Sequence, residues 1–340
     1  MKKIKRVILI FIGIIIIASI FIYMKFFSSN VKEDSFVYIP TNATYEQVLD
    51  SLKPKLKDIS SFKFMANKLE YPNLVKAGKY KLKKGDNNYN LVKKLRSGDQ
   101  FEQNVVIHNN ASMTVFAGKV SKFFESDSAT FMKAIQSYCT ENNISELDEL
   151  KWQIIPNTYN FYWNTKPEKV LKKLVMEHKK FWNEERKSKA NALNLSPLQV
   201  TSLASIVQKE ASKEAEHAKI AGLYLNRLHQ NIKLESDPTV IYAKQQAEGF
   251  HVIIKRVLNK DLQIESPYNT YKNLGLPPYP ICIPSIHAID ASLSPEKNDY
   301  IFMCAQPNLT GYHNFAKTYN EHLENARKYT EWLDSVGIKR

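Results

Sequence analysis

The sequence predicts an α+β protein: one N-terminal transmembrane helix, a small α/β domain over residues 35–103, and a larger mixed α+β domain over residues 105–340. Three observations carry that reading. An uncharged apolar run, VILIFIGIIIIASIFIYM, fills Val7–Met24. Behind it, short alternating segments interleave with helical ones as far as Gln103. From Val105 onward helical periodicity dominates, interrupted by strings rich in Pro, Asn and Gly.

At ~1.5 Å per residue the apolar run covers roughly 27 Å, and Phe26 and Phe27 carry it into the interface, so residues 7–27 can span a bilayer. A cleaved signal peptide would have a shorter apolar region followed by a small-residue cleavage site, where this chain has KFFSSN. The four cations of MKKIKR make residues 1–6 a cytoplasmic stub and send the rest to the outer side of the plasma membrane.

With 340 residues, 44% hydrophobic, 17 Phe and 18 Tyr, the chain can build real cores, which excludes a disordered polypeptide. Forty-eight Lys and Arg against 34 Asp and Glu leave a net charge of +14, which calls for an anionic partner. An extracytoplasmic position sets nucleic acid aside in favour of a membrane surface or a wall polymer. Cys139, Cys282 and Cys304 are an odd set that reads as small buried hydrophobes, with a Cys282–Cys304 disulfide as the alternative.

Residues 28–34 read as a polar link, and the compact pattern begins at Ser35. SFVYIP alternates like a strand. TNATYEQVLDSLKPKL is a helix, with Thr44 as N-cap and Gln47 three residues on. SSFKFMANKLEY is a second helix, LVKAGKYKLKKGD a strand with lysines on its open side, and NNYNLVKKLRSGDQ a third helix stopped by Gly98. The lysines from Lys76 to Lys84 read as a solvated face, with polymer binding as the alternative. VVIH is a strand that leads into a mainly helical stretch ending near Lys189. Within it WQIIPNTYNFYWNT packs five aromatic residues around Pro156, a composition that suits core first and a sugar-binding groove second.

LSPLQVTSLASIVQKEA has a clear helix start: Ser196 as N-cap, Pro197 at the first position, Gln199 completing a capping box. Leu203, Ile206 and Val207 form an apolar stripe, and Glu210 falls on the same face. A second helix, with Ala218, Ala221, Leu225 and Leu228 as its stripe, pairs with the first as a hairpin. A carboxyl group at the end of an apolar stripe loses hydration, which raises its pKa and suits it to general acid catalysis. The plainer alternative is a helix reaching solvent there, with Glu210 and Lys213 as a surface pair.

The strings LASIVQKEA, AGLYLNRL, LESDPTVIYA, SPYNTYKNLGLPPYPICIPS and GYHNFAKTYNEH occur in this order. Together they resemble the endolytic murein transglycosylases, the YceG-like family, over most of the chain. The resemblance implies a LysM-like module matching residues 35–103 and a transglycosylase domain from 105 onward. It implies cleavage of the β-1,4 bond between N-acetylmuramic acid and N-acetylglucosamine within peptidoglycan strands, leaving 1,6-anhydro ends. It also implies a role in ending nascent strand growth beside peptidoglycan synthases, without cofactor or metal. The family's catalytic acid maps onto Glu210. Gln208 stands where the family has another acid, and VIHNNAS at Val106–Ser112 replaces the family's usual turn after the LysM-like module.

Ordinary glycosidases use two carboxylates. One suffices here if the sugar's own 6-hydroxyl is the nucleophile, with Glu210 first giving and then taking a proton. Candidate substrate-binding groups are Asp237, Asn269, His313 and Asn314. Each also has a plainer reading: Asp237 as a capping or turn acid, Asn269 as a turn residue, His313 as a satisfied structural histidine. NLGLPPYPICIPS reads as a rigid loop suited to a groove wall, or as prolines that merely end elements.

The main rival is an anchored, catalytically silent peptidoglycan-binding scaffold, which retention of Glu210 disfavours. A metallohydrolase built on His313 and His322 lacks metal-ligand spacing, and Ser60-Ser61-Phe62-Lys63 matches a serine acylase string without its companions.

Overall fold

The structure, a computed structural model, describes residues 2–337 apart from Lys255 and Leu309. Helix α1 (Lys2–Phe27) contains a stretch, Arg6–Met24, of mean hydropathy 3.1 that the rest of the described residues leave uncovered. It is long and apolar enough to cross a membrane.

Two compact units follow from the packing. The first holds residues 1–105 with two returning segments, 123–126 and 160–166. Its strand β1 (Ser35–Ile39) pairs antiparallel with β2 (Gly78–Leu82), Ser35 opposite Leu82, after the intervening helices α2 (Tyr45–Leu52) and α3 (Ile59–Lys68). Helix α4 (Asn88–Ser97) closes the unit. Thr44 and Gln47 form the expected capping box, and Gly98, at φ 77°, ends α4 in the left-handed conformation that glycine adopts without a Cβ clash. Val37, Ile39, Leu52, Phe62, Tyr80 and Leu91 meet in its core.

Residues 28–34 are not a loose link. Val31 is fully buried in that core, and the Asn30 backbone N–H donates to Asp86 O. The Asn30 side chain donates to Asn88 Oδ1 (2.6 Å) and accepts from the Asp58 N–H (2.7 Å). Compact structure therefore starts at Ser29. The returning segments also depart from a boundary at 103–105: Glu125 accepts from the Thr41 N–H and hydroxyl, both at 2.6 Å, and Trp163 packs on Tyr38.

The second unit holds residues 106–122, 127–159 and 167–340. In chain order its elements are strand β3 (Gln103–Val106, mostly in the first unit), α5 (Met113–Val120), α6 (Ser128–Glu141), a 3₁₀ turn at Leu147–Gln153, strand β4 (Thr158–Phe161, paired with β3), α7 (Pro167–Phe181) and α8 (Glu184–Ala192). Then come α9 (Pro197–Glu210), α10 (His217–His229), α11 (Asp237–Glu248), α12 (Ile286–Leu293), the antiparallel ribbon β5 (Phe302–Ala305) and β6 (His313–Ala316), and α13 (Tyr319–Ser335). VIHNNAS is fastened within this unit: Ser112 caps α5, and Asn110 O accepts from the Ile283 N–H at 3.0 Å. In the aromatic string, Tyr159 and Phe161 are buried as core, Trp152 and Trp163 are half-buried, and Tyr162 is exposed.

Helix α9 is the axis of the second unit. Its start is the predicted capping box, but every residue from Val200 to Val207 is buried, not one stripe of them. Helices α10, α11 and α12 pack around it. Two of its hydroxyls bond locally, Thr201 Oγ1 to Pro197 O (2.8 Å) and Ser205 Oγ to Ser202 O (2.7 Å), while the buried Ser202 Oγ has no hydrogen-bond partner among the described residues. Gln208 Oε1 accepts from the Ser285 N–H, the N-cap of α12, at 2.6 Å. That bond needs only an acceptor, which the amide supplies as well as an acid would.

The end of the loop NLGLPPYPICIPS packs as core. Ile281, Cys282 and Ile283 are buried, and the Ile281 N–H donates to Ser205 Oγ at 3.0 Å, so its prolines deliver an extended segment onto α9. Cys139, Cys282 and Cys304 are all free thiols, so no Cys282–Cys304 bridge forms.

Candidate active site

The last turn of α9 carries Glu210 into the wall of a pocket of about 380 Å³. Its walls come from α10 (Tyr224, Arg227), the residues opening α11 (Glu235, Asp237), Tyr271, the β5–β6 ribbon and the start of α13. Arg227 braces these parts: its guanidinium donates to Ile301 O (2.6 Å), Lys233 O (2.8 Å) and Leu234 O (3.0 Å) and pairs with Glu235 (3.1 Å).

Two hydroxyls converge on one oxygen of Glu210. Tyr224 donates to Oε1 at 2.7 Å, and Ser236 donates to the same atom. With both donors on Oε1, the proton of the neutral acid belongs on Oε2. Burial raises the Glu210 pKa above the usual carboxylate range; the Ser236 and Tyr224 hydrogen bonds oppose that rise, Asp237 adds to it and His313 offsets it. The surface-pair reading fails, because Lys213 lies over the Tyr312 ring instead, 5.8 Å from its centroid.

Asp237 and His313 both line the pocket. Asp237 Oδ1 accepts from the Tyr271 hydroxyl at 2.8 Å, so it is not spent on capping its own helix. Glu216 accepts from His313 twice, from the backbone N–H at 2.9 Å and from Nδ1 at 2.8 Å. That carboxylate fixes the ring's orientation and places the proton of the neutral imidazole on Nδ1.

Asn269 and Asn314 do not reach the pocket. Asn269 is fully buried; its amide donates to Leu262 O and Ile264 O, both at 2.9 Å, and its Oδ1 accepts from the Tyr271 N–H at 3.0 Å. Its hydrogen-bonding capacity goes into the loop that presents Tyr271, the turn reading. Asn314 follows His313 on β6, and because successive strand side chains alternate it is not among the lining residues.

The sequence reading missed Tyr224, Ser236, Tyr271 and Glu216. Ser236 and Tyr271 sit one and two residues from Asp237 and Asn269, inside strings already singled out. Thr270 explains why those strings belong together: its Oγ1 accepts from the Ser236 N–H (3.0 Å) and its carbonyl from the Glu235 N–H (3.2 Å). Tyr224 reads as core from its place in AGLYLNRL, and only its hydroxyl distinguishes it. His322, stacked on Phe302, lines the far wall, and the described residues hold no cluster of three or more His, Cys, Asp or Glu suited to a metal ion.

The chain is 29% identical over 338 residues to an endolytic murein transglycosylase of Bacillus subtilis, covering 93% of this chain and 91% of that protein. It is 25% identical over 331 residues to an endolytic murein transglycosylase of Streptococcus pneumoniae, covering 88% of this chain and 59% of that longer protein. Among solved structures, it resembles the crystal structure of a YceG-like protein from Listeria monocytogenes, with a TM-score of 0.57 and 26% identity over 86% of this chain and 98% of that one. The family match runs from residue 37 to 328 and takes in every residue of the pocket, and on that extent the chain belongs to the YceG-like family.

Proposed function

We propose that this protein is a membrane-anchored endolytic peptidoglycan lytic transglycosylase that uses Glu210 as acid and then base. The observation that carries the proposal is the state of Glu210: a carboxyl group in the wall of a pocket, its pKa raised by burial, both hydroxyl partners on one oxygen. The other oxygen is left to exchange a proton with substrate.

In this reading the Oε2 proton passes to the glycosidic oxygen as its bond to C1 of the muramic acid breaks. The 6-hydroxyl oxygen of the same sugar then bonds to C1, and its proton returns to Glu210. The sum is one glycosidic bond broken, one 1,6-anhydro bond formed, and no water consumed. Asp237, held by Tyr271, faces the positive charge that builds at C1, and His313, held by Glu216, hydrogen-bonds the sugar. The β-α-α-β order of the first unit supports the LysM-like assignment of residues 35–103 and a glycan-holding role for it. Together with an outward-facing domain on an anchor, the activity suits trimming of nascent strands beside the synthases that make them.

Mass spectrometry of muropeptides after incubation with purified peptidoglycan tests this directly. Wild type should release internal fragments with 1,6-anhydro ends, and Glu210→Gln, which keeps the shape but cannot trade a proton, should lower cleavage by roughly a thousandfold or more. Reducing ends would instead make water the nucleophile and Asp237 a second catalytic carboxylate, ending the single-acid mechanism.

A further inference from the structure

A second pocket, of about 490 Å³, lies in the first unit and plays no part in the chemistry above. Its lining combines apolar Leu69, Leu74 and Tyr89 with cationic Lys76, Lys93 and Arg96. Lys93 and Arg96 stand one turn apart on α4, exposed, and among the described residues no carboxylate pairs with either or with Lys76. Their neighbour Lys94 is used differently, its ammonium donating to Lys81 O at 3.0 Å. Lys76 donates to Ser97 O at 3.2 Å, which holds its charge at the pocket.

The location is as telling as the charge. Tyr89, which lines this pocket, also packs on Phe27 at the end of α1, with ring centroids 5.8 Å apart. Phe26 meets Phe64 edge to face at 5.7 Å. Because Asn30 and Val31 are already part of the core, no slack chain separates α1 from this unit. The pocket is therefore held within about one helix diameter, ~10 Å, of where the apolar helix ends, the depth of a headgroup layer. Leu74 in its lining is 39% exposed, and Phe64, packed on Phe26, is 42% exposed: apolar surface that water does not reward and acyl chains do.

We propose that this pocket binds the phosphate headgroup of an anionic glycerophospholipid, with Lys93, Arg96 and Lys76 on the phosphate and Leu69, Leu74 and Tyr89 against the glycerol and upper acyl carbons. Three cations with no carboxylate among the lining residues match a phosphate, and the apolar side chains beside them match glycerol and acyl carbons better than the hydroxyl-rich faces of a glycan. The proposal rests on the anchored reading of α1. Bound lipid would fix the first unit's attitude to the membrane surface.

Native mass spectrometry of the full chain released from phosphatidylglycerol or phosphatidylcholine nanodiscs tests it. Wild type should retain one phosphatidylglycerol and no phosphatidylcholine, and Lys93→Gln with Arg96→Gln should lower that retention at least about tenfold while leaving the thermal melt of the protein unchanged. Equal retention of the two lipids, or unchanged retention in the double variant, overturns the proposal. Displacement of the lipid by glycerol 3-phosphate at comparable concentration makes this a free-phosphate site and overturns it too, as does displacement by soluble glycan strands. The same spectrum reads the anchor: a mass lacking residues 1–27 would remove the anchored reading and the proposal together, whereas a full-length mass with non-selective lipid removes the proposal alone.

Discussion

In the proposed mechanism Glu210 couples stability to activity through one carboxyl group. Its folded-state pKa is raised, mainly by burial, so the folded chain holds the proton more tightly than the unfolded chain does. Stability is then lost as pH rises from the ordinary glutamate value of about 4.3 through the raised one. Glu210→Gln removes that loss. In thermal melts the variant should match wild type near the acid end of the range and exceed it at neutral pH; parallel curves at all pH values would mean the carboxyl is not desolvated. Tyr224→Phe acts in the other direction, since it removes a donor that favours the charged form. The alkaline fall in cleavage rate, where Glu210 loses the proton it must donate, should move to higher pH, with a stability cost of about 1 kcal/mol. A pH–rate profile that stays in place would take Tyr224 out of the site. Ser236 shares the same oxygen and should behave alike.

The elements are placed by buried polar contacts as much as by apolar ones. Helix α11 carries Ser236 and Asp237 at its start, and further along it Tyr242 is hooked into a network around a fully buried lysine. Lys151 pairs with Asp148 at 3.2 Å and bonds the Tyr242 hydroxyl at 2.5 Å, with its ammonium 4.2 Å from the centroid of that ring. Tyr242, Tyr268 and Gln246 all donate to Asp148 Oδ2. Burial pulls the Lys151 pKa down to about 8, and Asp148 is what keeps it from falling further. Asp148→Ala strands that ammonium, so it should cost about 3–5 kcal/mol in denaturant melts. It should also slow cleavage, because the turn, the helix and the Tyr268–Tyr271 loop lose their common tie. A loss within about 0.5 kcal/mol would show that the network is incidental.

At the scale of the whole molecule, a short segment decides where folding begins. Residues 28–34 look like a tether, yet Val31 is sealed into the first core and Asn30 bonds to Asn88 and to the Asp58 N–H. A soluble fragment starting at Ser29 should fold fully. One starting at Ser35 should lose roughly 3 kcal/mol from the first unit, for one buried valine and two buried hydrogen bonds. Two-dimensional NMR and thermal melts of the two fragments separate these outcomes, and identical spectra would return the segment to the status of a linker. A rigid start also matters for reach, since it holds the first unit close to the end of the apolar helix.

Local physics made much of this protein legible from its sequence. The apolar run, the capping boxes at Thr44 and Ser196, the glycine stop at Gly98 and the odd carboxylate at Glu210 each depend on residues within a turn or two of one another. Asp237 and His313 were found through strings long enough to carry a family resemblance, and the pocket brings both to Glu210. What the sequence could not disclose depends on groups far apart in the chain. Tyr224 and Ser236 meet Glu210 across 14 and 26 residues, Lys151 meets Tyr242 across 91, and Asn269 is claimed by backbone carbonyls that no periodicity announces. A side chain's hydrogen bonds, unlike its helix or strand preference, are settled only when folding chooses its neighbours, and that choice buried α9 on every side from Val200 to Val207 and set the stripe-ending Glu210 against two hydroxyls that raise no signal in the sequence.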